Sequence, residues 1–125
     1  LVAHLYDPLH PAVLRLVADT IAECNAQGKG VSVCGEMAGD PLFSEALIGF
    51  GITSLSMSSV AIPAVRAEIS HIRYSLAKRF ALRAVRMGTG AEILDAMQRR
   101  SKQRSALEEY LDLFSDDDRD SNGKP

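Results

Sequence analysis

Residues 31–41 have the sequence VSVCGEMAGDP, and this stretch decides the fold. Residues 31–33 predict a short buried strand, because β-branched side chains lie between flanking glycines. The strand leads directly to Cys34, and Gly35 then allows the backbone to turn without a side chain in the way. Parallel α/β folds bind ligands at the carboxyl ends of their strands, so the pattern predicts a thiol at a ligand-binding edge.

Helical and strand patterns alternate along the first half of the chain. Asp40 and Pro41 predict a helix start, since aspartate caps helix N-termini and the first helical position does not need the N–H that proline lacks. The other predicted elements are a helix over residues 11–27, a helix continuing to about residue 48, a strand over residues 52–57 and a helix from residue 63. Repeated strand–helix units of this kind predict an α/β fold with parallel strands.

Apolar residues at helical spacing predict which helix faces are buried. The predicted buried stripe of the first helix is Val13, Val17, Ile21 and Cys24. The predicted buried residues of the second helix are Leu42, Phe43, Ala46 and Leu47, with Gly49 and Gly51 ending the helix. Ile62, Val65 and Ile69 are predicted to share one side of the third helix.

Composition places the chain among ordinary globular proteins. It has 125 residues, of which 46% are hydrophobic and 24% charged, with a net charge of −2. This length fits one domain, and this charge gives no indication of binding to nucleic acid or to an anionic membrane. No apolar run approaches the roughly 20 residues that span a bilayer. Cys24 and Cys34 show neither zinc-ligand spacing nor a disulfide framework, so we expect a reducing cytoplasmic location.

The second half is predicted to be helical. The helix predicted after residue 71 has an apolar face on one side and a basic face on the other. The basic residues are Lys78, Arg79, Arg83 and Arg86. Such a face is most often a solvated surface, with nucleic-acid binding a poor second interpretation. Thr89 and Glu92 predict a capping box at the start of a further helix. The predicted organisation of the whole chain has three parts. These are barrel-type strand–helix structure over residues 1–100, a helical extension over residues 101–114 and a disordered acidic tail over residues 115–125.

Two strands cannot make a stable parallel sheet by themselves, because both edges stay unpaired. A complete (β/α)₈ TIM barrel takes about 250 residues. We therefore predict that the chain forms the last quarter of such a barrel, followed by extra helices. Since the chain begins at Leu1 rather than methionine, we expect an excised or truncated piece.

Three segments together resemble a known family. They are HLYDPLHPAVL at residues 4–14, VSVCGEMAGDP at residues 31–41 and GITSLSMSSVAIPAVR at residues 51–66. In order and spacing they resemble the C-terminal end of the phosphoenolpyruvate-binding barrel of Enzyme I, the phosphoenolpyruvate–protein phosphotransferase of bacterial sugar and nitrogen phosphotransferase systems. The resemblance covers about residues 4–97. Pyruvate phosphate dikinase and phosphoenolpyruvate synthase share the CGE core but differ more around it.

The resemblance implies a role for Cys34. In the family, the matching cysteine donates a proton to the methylene carbon of enolpyruvate and so gives pyruvate. A thiol, whose pKa is about 8.5 in the free state, suits this step because it is protonated at neutral pH yet able to release its proton to an enolate. Gly35 and Glu36 would then orient the thiol or hold ordered water.

The resemblance also implies a cofactor and partners. The family uses Mg²⁺, whose ligands we expect upstream of this chain, so that no metal ligand is predicted within it. The implied partners are phosphoenolpyruvate and pyruvate, a histidine-containing phosphocarrier protein that acts through an absent N-terminal domain, and a second copy of the chain in a homodimer. The residues that bind the substrate stay unassigned. Because upstream parts are missing, we expect the fragment to be inactive alone.

Each candidate residue also has a structural interpretation. A lone cysteine such as Cys34 is often a small buried hydrophobe, and Glu36 could be a solvated residue or an ion-pair partner. Asp40 is better explained as a helix cap than as a metal ligand. Ser56 and Ser58 could line the substrate mouth or merely end a strand.

Two other questions stay open at this stage. His4, His10 and His71 show no partners at triad or metal spacing. For the whole chain, the alternatives are a non-catalytic truncated or dimerisation module and a fragment of a pyruvate phosphate dikinase or phosphoenolpyruvate synthase relative.

Overall fold

A computed structural model describes Ala3 and residues 6–115 of the chain. In this part of the chain, six helices alternate with or follow two short strands. In chain order the elements are α1 (Pro11–Ala26), β1 (Val33–Cys34), α2 (Glu36–Gly39), α3 (Pro41–Phe50), β2 (Leu55–Ser56), α4 (Ile62–Ser70), α5 (Tyr74–Ala84) and α6 (Gly90–Ser115). The chain is thus mostly helical with a small sheet, an arrangement consistent with the predicted α/β class.

The two strands pair in parallel, as predicted, with Val33 opposite Leu55 and Cys34 opposite Ser56. Each strand has only two residues, so the predicted spans of residues 31–33 and 52–57 were wrong in length and the first also in position. The two strands are paired only at these two positions. Successive strand residues point to opposite faces. Accordingly, Val33 and Leu55 pack against the core, and Cys34 and Ser56 are exposed.

The hydrophobic core lies between the helices. Its members from α1, α3, α5 and α6 include Leu14, Ile21, Phe43, Leu47, Phe80 and Ile93. Helix α3 is central, because it packs against α5 and also contacts α1, α4 and α6. The small sheet covers one side of this core and presents its other face outward.

Helix α1 has the predicted position but a different buried face. Its N-terminal proline is Pro11, as predicted, and Ile21 is buried. Val13, predicted to be buried, is 40% exposed, whereas Leu14 is fully buried. Both residues fit helical spacing with Val17 and Ile21, so the sequence pattern alone does not fix the rotation of the helix about its axis; packing against α3 does.

Helix α3 begins as predicted and ends two residues later than predicted. The Asp40 side chain caps it, and Pro41 occupies its first turn. Gly49 does not end the helix but lies within it, where a Cβ would lie 2.2 Å from the carbonyl oxygen of Ala77 on α5. Gly49 therefore allows close approach of the two helices. Gly51 ends the helix in the left-handed conformation, with φ of 95°.

Helix α6 begins with the predicted capping box. Thr89 Oγ1 accepts a hydrogen bond from the Glu92 N–H at 3.2 Å, and a Glu92 carboxylate oxygen accepts from the Thr89 N–H at 3.2 Å. The helix then continues without interruption to Ser115. The domain boundary at residue 100 stays a prediction, and residues 116–125 of the predicted tail lie outside the described residues. No helix in the described part is long and apolar enough to cross a membrane.

Candidate functional site

A cleft of about 560 Å³ opens at the carboxyl ends of both strands. Its lining residues include Gly35, Glu36, Asp40, Ser56, Met57 and Ser58. Gly35, Glu36 and Asp40 follow β1, whereas Ser56 ends β2 and is followed by Met57 and Ser58. They meet in one cleft because parallel strands place their carboxyl ends at the same edge of a sheet. The predicted serines therefore lie at the predicted edge of the sheet.

Cys34 is the last residue of β1 and is exposed as a free thiol. Its register partner is Ser56 on β2, which lines the cleft. Because paired residues of parallel strands point to the same face, the thiol and the serine hydroxyl share the outward face of the sheet. Within this chain Cys34 is therefore not a buried packing residue. Cys24, on α1, is half-buried.

The turn that follows Cys34 depends on Gly35. Gly35 has φ of 76° and ψ of −153°, a conformation that a residue with a Cβ rarely adopts. It begins the short helix α2, Glu36–Gly39, which sequence patterns did not predict because one helical turn is too short to show periodicity. The turn carries the Glu36 carboxylate to the wall of the cleft.

Glu36 has a partner from the N-terminal lead-in. The Tyr6 hydroxyl donates a hydrogen bond to Glu36 Oε2 at 3.1 Å. This hydrogen bond, reinforced by the negative charge of the carboxylate, raises the pKa of Tyr6 above its usual value. Glu36 is thus exposed and fixed by a hydrogen bond from a neutral group rather than by an ion pair. Sequence patterns did not pair these residues, because they lie 30 positions apart.

The structure places the other acidic residue of the cleft in a structural role. Asp40 Oδ1 accepts a hydrogen bond from the Leu42 N–H at 2.9 Å, as expected of a helix cap. Among the described residues, no group of three or more histidine, cysteine, aspartate or glutamate side chains is arranged to hold a metal ion. The described residues therefore do not fit a complete Mg²⁺ site.

Two of the three histidines have identifiable partners. His10 Nδ1 accepts a hydrogen bond from the Ala12 N–H at 3.2 Å and so caps α1. His71 Nε2 lies 2.6 Å from Glu108 Oε1 on α6. The prediction concerned only partners at triad or metal spacing in the sequence. It made no statement about the contact between His71 and Glu108, which the packing of α6 creates. His4 lies outside the described residues.

Sequence patterns did not reveal a charge cluster that the structure shows between α3, α4 and α6. The Glu45 side chain on α3 is 3% exposed, and its carboxylate forms ion pairs with Arg100 and Arg104 of α6. Arg104 also pairs with Glu68 of α4. Glu45 is the single charged residue among the buried residues of α3, and it was the available signal, because a buried charge requires a partner.

The electrostatics of this cluster favour the charged forms of its residues. Burial alone would raise the pKa of Glu45, but hydrogen bonds and charge from Arg100 and Arg104 lower it overall. The hydrogen bond to Glu45 raises the pKa of Arg100, whose guanidinium also lies 5.7 Å from the centre of the Phe80 ring. The cluster therefore joins α6 to α3 and α4, and none of its members lines the cleft beside Cys34.

Comparison with known proteins adds to this geometry. A family model described as PEP-utilising enzyme, PEP-binding domain, matches residues 1–74, which is more than half of the chain. The phosphoenolpyruvate-protein phosphotransferase of Cupriavidus necator is 56% identical over 70 residues, which cover 56% of this chain and 12% of that protein.

More distant relatives match a longer part of the chain. The protein of the same name from Staphylococcus carnosus is 39% identical over 101 residues, covering 81% of this chain and 18% of the relative. The one from Buchnera aphidicola is 38% identical over 98 residues, covering 78% of this chain and 17% of the relative. The chain thus spans less than a fifth of the length of these relatives. Given the match of residues 1–74 to the PEP-binding domain model, the chain belongs to the PEP-utilising enzyme family.

Proposed function

We propose that the chain is the C-terminal portion of a phosphoenolpyruvate–protein phosphotransferase, in which Cys34 protonates enolpyruvate. The observation that carries this proposal is the exposed Cys34 thiol at the carboxyl end of β1, on the same face as Ser56. The names of the relatives favour this activity over that of a pyruvate phosphate dikinase or phosphoenolpyruvate synthase. In the proposed reaction, the phosphoryl group moves to an enzyme histidine outside this chain and then to a histidine-containing carrier protein.

The proton transfer follows from ordinary thiol chemistry. Loss of the phosphoryl group leaves the enolate of pyruvate, whose methylene carbon needs a proton. The Sγ–H bond of Cys34 breaks, a C–H bond forms at that carbon, and the enolate oxygen becomes the ketone oxygen of pyruvate. The thiolate then takes a proton from water.

Neighbouring residues would position the reacting groups. The turn at Gly35 directs the backbone away from the thiol, and Glu36, held by Tyr6, contributes a carboxylate to the cleft wall. We propose that this carboxylate holds an ordered water near the thiol. Ser56 adds a hydroxyl on the face that Cys34 shares.

The surroundings of the cleft are proposed to come from a larger assembly. Within the described residues β1 and β2 pair only with each other, so we propose that they are adjacent strands of a (β/α)₈ TIM barrel whose other strands lie outside this chain. The Mg²⁺ ion implied by the resemblance would have its ligands there too. No step of the proposed mechanism involves a metal ion bound by this chain. A cytoplasmic location stays a prediction.

A chimera tests this function. We replace the matching segment of the Cupriavidus necator phosphotransferase with this chain and measure pyruvate formation from phosphoenolpyruvate. We expect Cys34→Ala to lower the rate at least about 100-fold, the usual contribution of general acid catalysis, while phosphoenolpyruvate binding stays nearly unchanged. Cys24→Ala is the matched control and should retain the rate of the parent chimera. Equal rates for Cys34→Ala and the parent would refute the proposal.

A second candidate is a non-catalytic dimerisation module. An open groove of about 610 Å³ lies beside α4, and its apolar wall includes Met57, Ile62, Val65 and Ile69. This groove favours contact with another protein surface, because exposed apolar patches often mark interfaces. Sedimentation of the 125-residue chain distinguishes the two candidates. A stable folded dimer that loses its association on Ile62→Glu supports the module, whereas a monomer supports the severed enzyme fragment.

A further inference from the structure

The seam between α5 and α6 contains a basic groove that the proposed activity does not use. Two adjoining cavities form it, with volumes of about 830 Å³ and 400 Å³, and they share Arg83 and Arg100 as lining residues. We call this the α5–α6 groove; its lining residues include Leu76, Arg79, Leu82, Arg83, Arg86 and Arg99. The sequence had indicated only a solvated basic face on α5.

Some of the charges in the α5–α6 groove are already neutralised. Arg99 pairs with Asp95 at 2.6 Å, and Arg100 pairs with the buried Glu45. Glu92, on the α6 wall, accepts hydrogen bonds from backbone N–H groups at the start of α6. The Arg99–Asp95 and Arg100–Glu45 pairs therefore contribute little net charge toward a ligand, whereas Glu92 keeps its negative charge because its partners are neutral N–H groups.

Three other arginines are not neutralised in this way. In the described part of the chain, Arg79, Arg83 and Arg86 form no ion pair or side-chain hydrogen bond, and all three are exposed. Arg79 and Arg83 lie one helical turn apart on α5, and Arg86 follows in the turn after the helix. Leu82, which is 56% exposed, lies next to them on the groove wall. Positive charge and an exposed apolar side chain thus occur together.

We propose that the α5–α6 groove binds an acidic segment of a partner protein. The segment would place aspartate or glutamate carboxylates on Arg79, Arg83 and Arg86, where planar guanidinium groups bind carboxylates through two parallel hydrogen bonds. An apolar side chain between those carboxylates would cover Leu82. The combination of several spaced charges with one apolar contact fits a peptide.

The composition of the groove argues against a single small anion. Arg79 and Arg86 lie seven positions apart, which correspond to about 10 Å at about 1.5 Å per residue. A helical or extended peptide can follow this distance and also cover Leu82, whereas a phosphate ion has no apolar part to place on Leu82.

Fluorescence anisotropy tests the proposal on the 125-residue chain. The probe is a labelled peptide of about 12 residues, rich in glutamate with spaced leucines, which as a helix is about as long as the groove. We expect Arg83→Gln/Arg86→Gln to weaken binding about five- to twentyfold, and higher salt to weaken it further. Both side chains are exposed, so the unfolding midpoint should not change. Leu82→Glu, which adds a repelling charge, should weaken binding as well.

A matched pair of substitutions controls for overall charge. Arg66→Gln/Arg73→Gln removes the same charge from exposed positions outside the groove and should leave peptide affinity unchanged. A peptide with glutamine in place of glutamate should not bind. The proposal is overturned if the acidic peptide fails to bind the parent chain, or if the control pair loses as much affinity as the groove pair. It is also overturned if tripolyphosphate or a single-stranded oligonucleotide binds more tightly than the peptide.

Discussion

Glu36 and Glu45 lie on consecutive helices but in opposite environments. Glu36 is exposed at the cleft beside Cys34 and accepts one hydrogen bond, from Tyr6. Glu45 is buried and forms ion pairs with two arginines of α6. The comparison shows that a doubly paired, buried carboxylate is committed to holding helices together. The exposed carboxylate keeps free lone pairs that a ligand or water molecule can use.

The largest expected effect comes from the buried carboxylate. Glu45→Gln should lower the free energy of unfolding by about 3 kcal/mol, because it leaves the Arg100 guanidinium without its charge partner and removes one of the two partners of Arg104. Glu36→Gln should change it by less than about 0.5 kcal/mol, since that side chain is exposed. Urea denaturation followed by circular dichroism measures both values. We call the helices that pack around α3, namely α1 and α3–α6, the packed region, and α2 with the cleft beside Cys34 the open region. Equal losses in the two variants would contradict this division.

The next effect concerns backbone packing in the same packed region. Gly49→Ala should lower the free energy of unfolding by about 2 kcal/mol, because the new methyl group would collide with the Ala77 carbonyl on α5. Gly30→Ala, before β1, is the matched control, since no atom lies within 4 Å of the position that its methyl group would take. If Gly49→Ala unfolds at the same urea concentration as the parent, α3 and α5 do not approach as closely as described.

A smaller effect is the pH dependence of the packed region. The folded-state pKa of Glu45 is lowered from its usual 4.5, so the charged form is favoured in the folded protein. Its contribution to stability is complete above the unfolded pKa and is lost as the pH falls through the lowered folded pKa. Unfolding measured at a series of pH values below neutrality should therefore show a steeper acid loss for the parent than for Glu45→Gln. Parallel profiles would remove the argument for a stabilising Glu45 carboxylate.

The smallest expected effect lies in the open region. The carboxylate of Glu36 raises the pKa of Tyr6, so Glu36→Gln should move the titration of Tyr6 to lower pH. Tyrosine ring signals followed by nuclear magnetic resonance at alkaline pH measure this shift. Glu109→Gln, which changes an exposed glutamate on α6, should not alter the titration of Tyr6. An unchanged Tyr6 titration in Glu36→Gln would mean that the hydrogen bond does not persist in solution.

Local sequence signals predicted two features of the open region, the helix cap at Asp40 and the turn at Gly35, but not α2 or the hydrogen bond between Tyr6 and Glu36. The aspartate–proline pair at Asp40 and Pro41 specifies a cap through bonds to the next residues, and glycine after Cys34 specifies a turn. Both of these signals depend on residues that are adjacent in the sequence. The parallel pairing of β1 with β2 followed from the alternation of strands and helices, since a helix between two strands favours a parallel crossover.

The packed region could not be predicted in the same way. Its ion pairs join residues up to 59 positions apart, and neither Glu45 nor Arg104 has a local motif that indicates the other. The approach of His71 to Glu108 likewise depends on where α6 packs. The rotation of α1 was decided by tertiary packing as well. Long-range contacts of this kind follow from the whole arrangement of helices rather than from any one segment.

Hydrogen–deuterium exchange into pyruvate tests the central claim most directly, because it follows the proton at the carbon atom itself. In deuterated water, the chimera that carries this chain should exchange the methyl protons of pyruvate, since the step that protonates enolpyruvate also runs in reverse. The account predicts that Cys34→Ala slows this exchange at least about 100-fold and that Cys24→Ala does not. Exchange by Cys34→Ala at the rate of the parent chimera would contradict it.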